Sequence, residues 1–103
     1  MATGVHIQSV DFAHTGNKVH ADIVVVDGAD APVAGALMHY TINAVPPGAW
    51  RYEQEATHAD GLVDTVNVNV KSGDTVNVVV QNIDGTDYQY ATDPLAWSQY
   101  HVA

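Results

Sequence analysis

Val66-Asn67-Val68-Asn69-Val70 sets an apolar residue at every second position. Val19, Ala21, Ile23 and Val25 do the same within the run from Lys18 to Val26. Successive side chains of an extended strand point to opposite faces, so a period of two buries one face and wets the other. The alternating runs are rich in Val, Ile and Thr, whose branched Cβ atoms suit a pleated sheet. No stretch of ten or more residues carries apolar side chains at helical spacing. The chain is therefore predicted to be all-β.

Turn signals divide the runs. They are His14-Thr15-Gly16-Asn17, Asp27-Gly28, Pro46-Pro47-Gly48, Asp60-Gly61, Lys71-Ser72-Gly73-Asp74 and Asp84-Gly85. The spacing predicts seven strands: Val5 to Phe12, Lys18 to Val26, Ala34 to Val45, Arg51 to Thr57, Leu62 to Lys71, Asp74 to Asn82, and a last segment between Asp87 and Val102. Lys71-Ser72-Gly73-Asp74, between two alternating runs, reads as a tight hairpin. Seven short antiparallel strands are the count of an immunoglobulin-like sandwich of two sheets. A chain of 103 residues is long enough to form one such domain, spanning residues 1–103.

The chain has no cysteine, which excludes a disulfide framework and thiolate metal sites. Lys18, Arg51 and Lys71 face 12 acidic residues, for a formal charge of −9. That balance argues against nucleic acid and anionic membrane surfaces as partners. It is compatible with calcium or a cationic partner. The apolar runs are too short to cross a membrane as a helix. Met1-Ala2-Thr3-Gly4 has neither a charged nor an apolar leader segment, so any secretion signal would lie outside this sequence.

VVVDGADAPVAGALMHYTI ends one strand in Asp, turns, and starts the next after Pro-Val-Ala-Gly-Ala. ATHADGLVDTVNVNVKSGDTVNVVVQNI carries a Thr-x-x-x-Gly turn and then a Ser-Gly-Asp turn. VHIQSVDF stands as a first strand and YQYATDP near the close of the chain. Together these motifs resemble the bacterial Ig-like domain family. Pro-Val-Ala-Gly-Ala also occurs in transthyretin-like domains, the alternative topology. The resemblance implies a non-catalytic accessory, recognition or spacer module of a larger secreted or cell-surface protein, such as a protease or adhesin. Its setting would be extracellular, beside neighbouring domains of a parent chain. It implies fold more strongly than function.

The residues themselves suggest two kinds of site. Trp50, Tyr52, Tyr88, Trp97 and Tyr100 gather at the Pro-Pro-Gly loop and in the last segment, with Gln54, Gln89 and Gln99 nearby. A sandwich core takes one Trp and one Tyr, with Tyr40 or Tyr90 suited to the second role. The remaining aromatics would form a strip for a protein or carbohydrate ligand, and burial of both tryptophans would remove it. Asp27, Asp30, Asp84 and Asp87 fall at turns that strand direction brings to one pole, where they would form a calcium site; otherwise they are turn formers. Of the six histidines, His20 shares an outward strand face with Asp22, and a transition-metal site would have to assemble from separate strands. Ser9, Ser72 and Ser98 lack a nucleophile-elbow context, and Glu53 and Glu55 lie along one strand. The chain is expected not to be an enzyme.

Overall fold

The computed structural model describes residues 3–45, 50–85, 88–90 and 97–102. Its strands are β1 (Thr3–Thr15), β2 (Lys18–Asp27), β3 (Leu37–Val45), β4 (Arg51–Ala56), β5 (Leu62–Asp64), β6 (Val68–Asn69), β7 (Thr75–Asp84), β8 (Tyr88–Tyr90) and β9 (Trp97–His101). The first sheet has the order β5-β2-β1-β8, with β6 also paired to β2. The second has the order β4-β3-β7-β9. The expected all-β, Ig-like sandwich of two sheets is the observed architecture.

The alternation places the core. Ile23, Val25 and Val63 from the first sheet and Met38, Tyr40, Ile42 and Val78 from the second are buried in one cluster. Each such side chain contributes roughly 1.5–3 kcal/mol of transfer free energy. Tyr40 is fully buried, and its hydroxyl accepts a hydrogen bond from Val66 N–H at 2.9 Å. It fills the core tyrosine role. No tryptophan fills the companion role: Trp50 and Trp97 are 52% and 61% exposed.

Three expectations meet corrections. The run from Leu62 to Lys71 is two strand pieces, because Thr65 enters the pairing through its side chain. Ala21 N–H donates to Thr65 Oγ1 at 2.8 Å, while Thr65 N–H donates to Ala21 O at 2.9 Å. Just beyond, Val66 N–H turns to Tyr40 of the other sheet. The second correction concerns Lys71-Ser72-Gly73-Asp74, which is a turn but not a hairpin. Asp74 N–H donates to Lys71 O and Lys71 N–H to the Asp74 carboxylate, yet β6 pairs in the first sheet and β7 in the second. Thirdly, the last segment also changes sheet: β8 runs parallel to β1, whereas β9 pairs antiparallel with β7.

The connector after β2 is built by its Asp. Asp27 Oδ1 accepts Ala29 N–H at 2.8 Å and Ala31 N–H at 3.0 Å, closing an Asx turn. Pro32 then bridges back to Val26. The Asp60-Gly61 turn packs under this connector. Gly61 has φ +78°, and a Cβ there would stand 2.4 Å from Val25 O.

Candidate functional site

The outward face of the second sheet collects the exposed aromatics. Tyr52 on β4 is in register with Thr41 on β3, Thr41 with Val79 on β7, and Val79 with Trp97 on β9. Residues in register share a face, so the row Tyr52–Thr41–Val79–Trp97 crosses all four strands on one side. Tyr52 is 50% exposed. Trp50 joins the row, since Trp50, Trp97, Thr41, Val79 and Gln81 line one shallow depression. Three of the five aromatics expected to form a strip therefore do so.

Hydrogen bonds prepare this face. His39 Nδ1 lies 2.6 Å from the Tyr52 hydroxyl, and its Nε2 lies 2.6 Å from Asp84 Oδ2. A carboxylate beside Nε2 favours the proton on that nitrogen, which leaves Nδ1 to accept from the tyrosine. The Gln54 amide reaches the same hydroxyl at 3.4 Å. On the other side of the row, Gln99 Nε2 donates to Asn77 Oδ1 at 2.8 Å and Asn77 Nδ2 to Asn43 Oδ1 at 3.0 Å. A line of amides thus runs beside the aromatic row. His39 and these amides had no distinguishing spacing in the sequence; strand pairing assembles them.

Tyr100 lies elsewhere. It pairs with the buried Val76, packs against the core, and stacks on Phe12 with ring centroids 5.5 Å apart. Tyr88 lies on β8, and its side chain lies outside what the structure describes.

The expected calcium ligands divide in a similar way. Asp27, Asp30 and Asp84 do share a pole, as strand direction implies: Val5 pairs with Asp27, and Leu37 pairs with Asp84. Their carboxylates have separate employment. Asp27 caps its own turn, Asp30 Oδ1 lies 3.8 Å from His6 Nε2, and Asp84 serves His39 and Asn82. Asp87 lies outside the described residues.

Among the described residues, one group of metal-type ligands comes together, and it is a different one. His20, Asp22 and Asp64 lie on the outward side of the first sheet, with one ligand atom from each within 4.8 Å of the others. The pairing of β2 with β5 brings Asp64 beside Asp22, which sequence spacing alone does not reveal. The Asp22 carboxyl is held above the ordinary carboxylate range, chiefly by its hydrogen bond with Asp64. Desolvation and the negative charge of Asp64 act in the same direction, against His20.

Compared with protein-family models and with curated proteins, the chain matches none.

Proposed function

We propose that the chain is a non-catalytic Ig-like recognition module of a larger secreted or cell-surface bacterial protein. It binds its ligand through the outward face of β4-β3-β7-β9. One observation carries this reading: the aligned row from Tyr52 to Trp97, flanked by Trp50, leaves large aromatic surface in water on one sheet face. Exposed aromatics supply contact area at low conformational cost and dominate binding energetics where they occur. The His39 contact supports the same reading, because it holds Tyr52 in place before any ligand arrives.

Gln99, exposed beside Trp97 and held by the buried Asn77–Asn43 pair, favours a carbohydrate as a second reading. Sugars present flat apolar faces ringed by hydroxyls, and aromatic rings beside amides match both features.

Amide chemical-shift mapping tests the proposal. The labelled protein is titrated with cellohexaose, chitohexaose and xylohexaose. In parallel, a photo-crosslinking residue at position 81, in place of the exposed Gln81 beside the row, is activated on the native cell surface. Shifts or adducts confined to the outward face of β4-β3-β7-β9 support recognition, and the responding arm identifies the ligand class. Shifts confined to the loops of one pole or to the first sheet would remove the proposed face. Silence in both arms would leave a spacer.

A further inference from the structure

Asp22 stands mid-strand on β2 with a carboxylate on either side. Its register partner on β5 is Asp64, and on β1 it is Asp11. Partners in register share a face, so three aspartates form a row on the outward side of the first sheet. His20 lies two residues earlier on β2, on the same face. Its Nε2 lies 3.2 Å from Asp22 Oδ1.

Like charges directly opposite one another weaken a sheet. The chain has only three Lys and Arg residues to offset such a row. Among the described residues, the one ion pair made by Asp22 is with His20. Asp22 Oδ1 adds a separate observation. That atom is shielded from solvent with no hydrogen-bond donor on it among the described residues, while the side chain as a whole is 37% exposed. A shielded polar oxygen with no donor is less stable than one that is paired. A cation held between the three side chains would remove both costs.

We propose that His20, Asp22 and Asp64 form a binding site for one first-row divalent metal ion, with Zn2+ the best match. The donor set decides the class. One imidazole nitrogen and two carboxylate oxygens suit zinc and its neighbours, whereas Ca2+ takes six to eight oxygens. Ligands about 2.1 Å from a tetrahedral ion stand ~3.4 Å apart, close to the 3.2 Å between His20 Nε2 and Asp22 Oδ1. The Asp64 ligand atom lies within 4.8 Å of the other two. The ion takes a neutral imidazole nitrogen and two carboxylate oxygens as its ligands. Asp11 adds negative charge from β1. Three protein ligands leave a coordination position for water or for a group of another molecule.

Calorimetric titration of the tag-free protein with ZnCl2 tests the site, together with thermal unfolding in EDTA and in ZnCl2. The expected result is one Zn2+ per chain and a Tm that climbs with zinc concentration, since the ion binds the native state. Asp64→Asn should weaken zinc binding at least about tenfold, as even groups behind a ligand contribute that much. Its Tm in EDTA should equal or exceed that of the parent, because it removes a like-charge contact; this separates lost binding from lost folding. His20→Ala should lose the zinc response as well. The site is overturned if no zinc binds, or if both variants bind zinc like the parent, which would assign binding to other histidines. An equal response to Ca2+ would overturn the ion class. Trp97→Ala should leave zinc binding unchanged, so this site stands or falls independently of the aromatic face.

Discussion

Tyr52 and Trp97 occupy one cross-strand row, at its two ends, on the outward face of the second sheet. Three strand spacings separate them, or ~14 Å. Between them lie only Thr41 and Val79. Neither side chain supports the core, so both can be removed without dismantling the fold. Tyr52→Ala and Trp97→Ala should each change unfolding free energy by less than about 1 kcal/mol, measured by urea denaturation. Both should abolish ligand-induced shifts on this face. Acrylamide should quench the fluorescence of both tryptophans in the parent protein, and a strongly protected component would contradict the exposed row.

His39 acts on this face through Tyr52. His39→Ala should leave Tyr52 present but no longer held, lowering ligand affinity by less than Tyr52→Ala does. His39→Gln, which keeps a polar group near the tyrosine, should recover part of the loss. Equal affinity for the parent and His39→Ala would show that orienting Tyr52 contributes nothing.

Gly61 is the glycine whose replacement the fold resists most clearly. Its φ of +78° disfavours any Cβ, and that Cβ would meet Val25 O at 2.4 Å. Val25 N–H also donates to Gly61 O at 2.9 Å, so the two backbones cannot easily part. Gly61→Ala should cost roughly 2–4 kcal/mol. Gly16 has φ +62° but open space around it. Gly16→Ala should cost only about 1 kcal/mol, and equal costs in denaturation midpoints would contradict the close approach.

Thr65 replaces a backbone partner with its hydroxyl, which accepts the buried Ala21 N–H. Thr65→Val preserves shape and removes that acceptor. The expected cost is about 1–3 kcal/mol, the price of an unsatisfied buried donor. Hydrogen exchange at Ala21 should quicken; unchanged protection there would mean that another acceptor takes over.

Burial raises the Tyr40 phenol above its ordinary value of 10.0. The carboxylates of Glu55 and Glu53 act in the same direction, and the Val66 hydrogen bond and Arg51 oppose them. Above pH 10 the unfolded chain therefore gives up a proton that the folded chain keeps. The unfolded state then binds fewer protons, so stability falls as pH rises from 10 toward the folded value. Tyr40→Phe should lower stability at neutral pH by about 1–2 kcal/mol, because Val66 N–H loses its acceptor. It should also flatten the alkaline decline, and denaturation midpoints between pH 8 and 11 that fall in parallel for both proteins would refute the link.

Much of the fold was legible in the residues because a strand writes its two faces into alternate positions. Val19, Ala21, Ile23 and Val25 declared a buried face, and that face is buried. Asp27-Gly28 and Asp60-Gly61 declared turns, and turns stand there. The exposed aromatics were legible only as a group, since Trp50, Tyr52 and Trp97 resemble core residues in composition. Period two cannot choose between a core and a dry-looking outer face when no charged residue marks the outside.

Strand identity, turn positions and the sense in which β2 and β7 run to a common pole were set by local pattern, because backbone geometry acts over a few residues. Partnership across strands was decided only in three dimensions. Asp64 meets Asp22 across 42 positions of sequence because β5 pairs with β2, and Trp97 joins the Tyr52 row because β9 pairs with β7. Hydrogen-bonded register is a long-range choice made by the whole core. It is that choice, and no local signal, which brings His20, Asp22 and Asp64 together on one sheet and the aromatic row on the other.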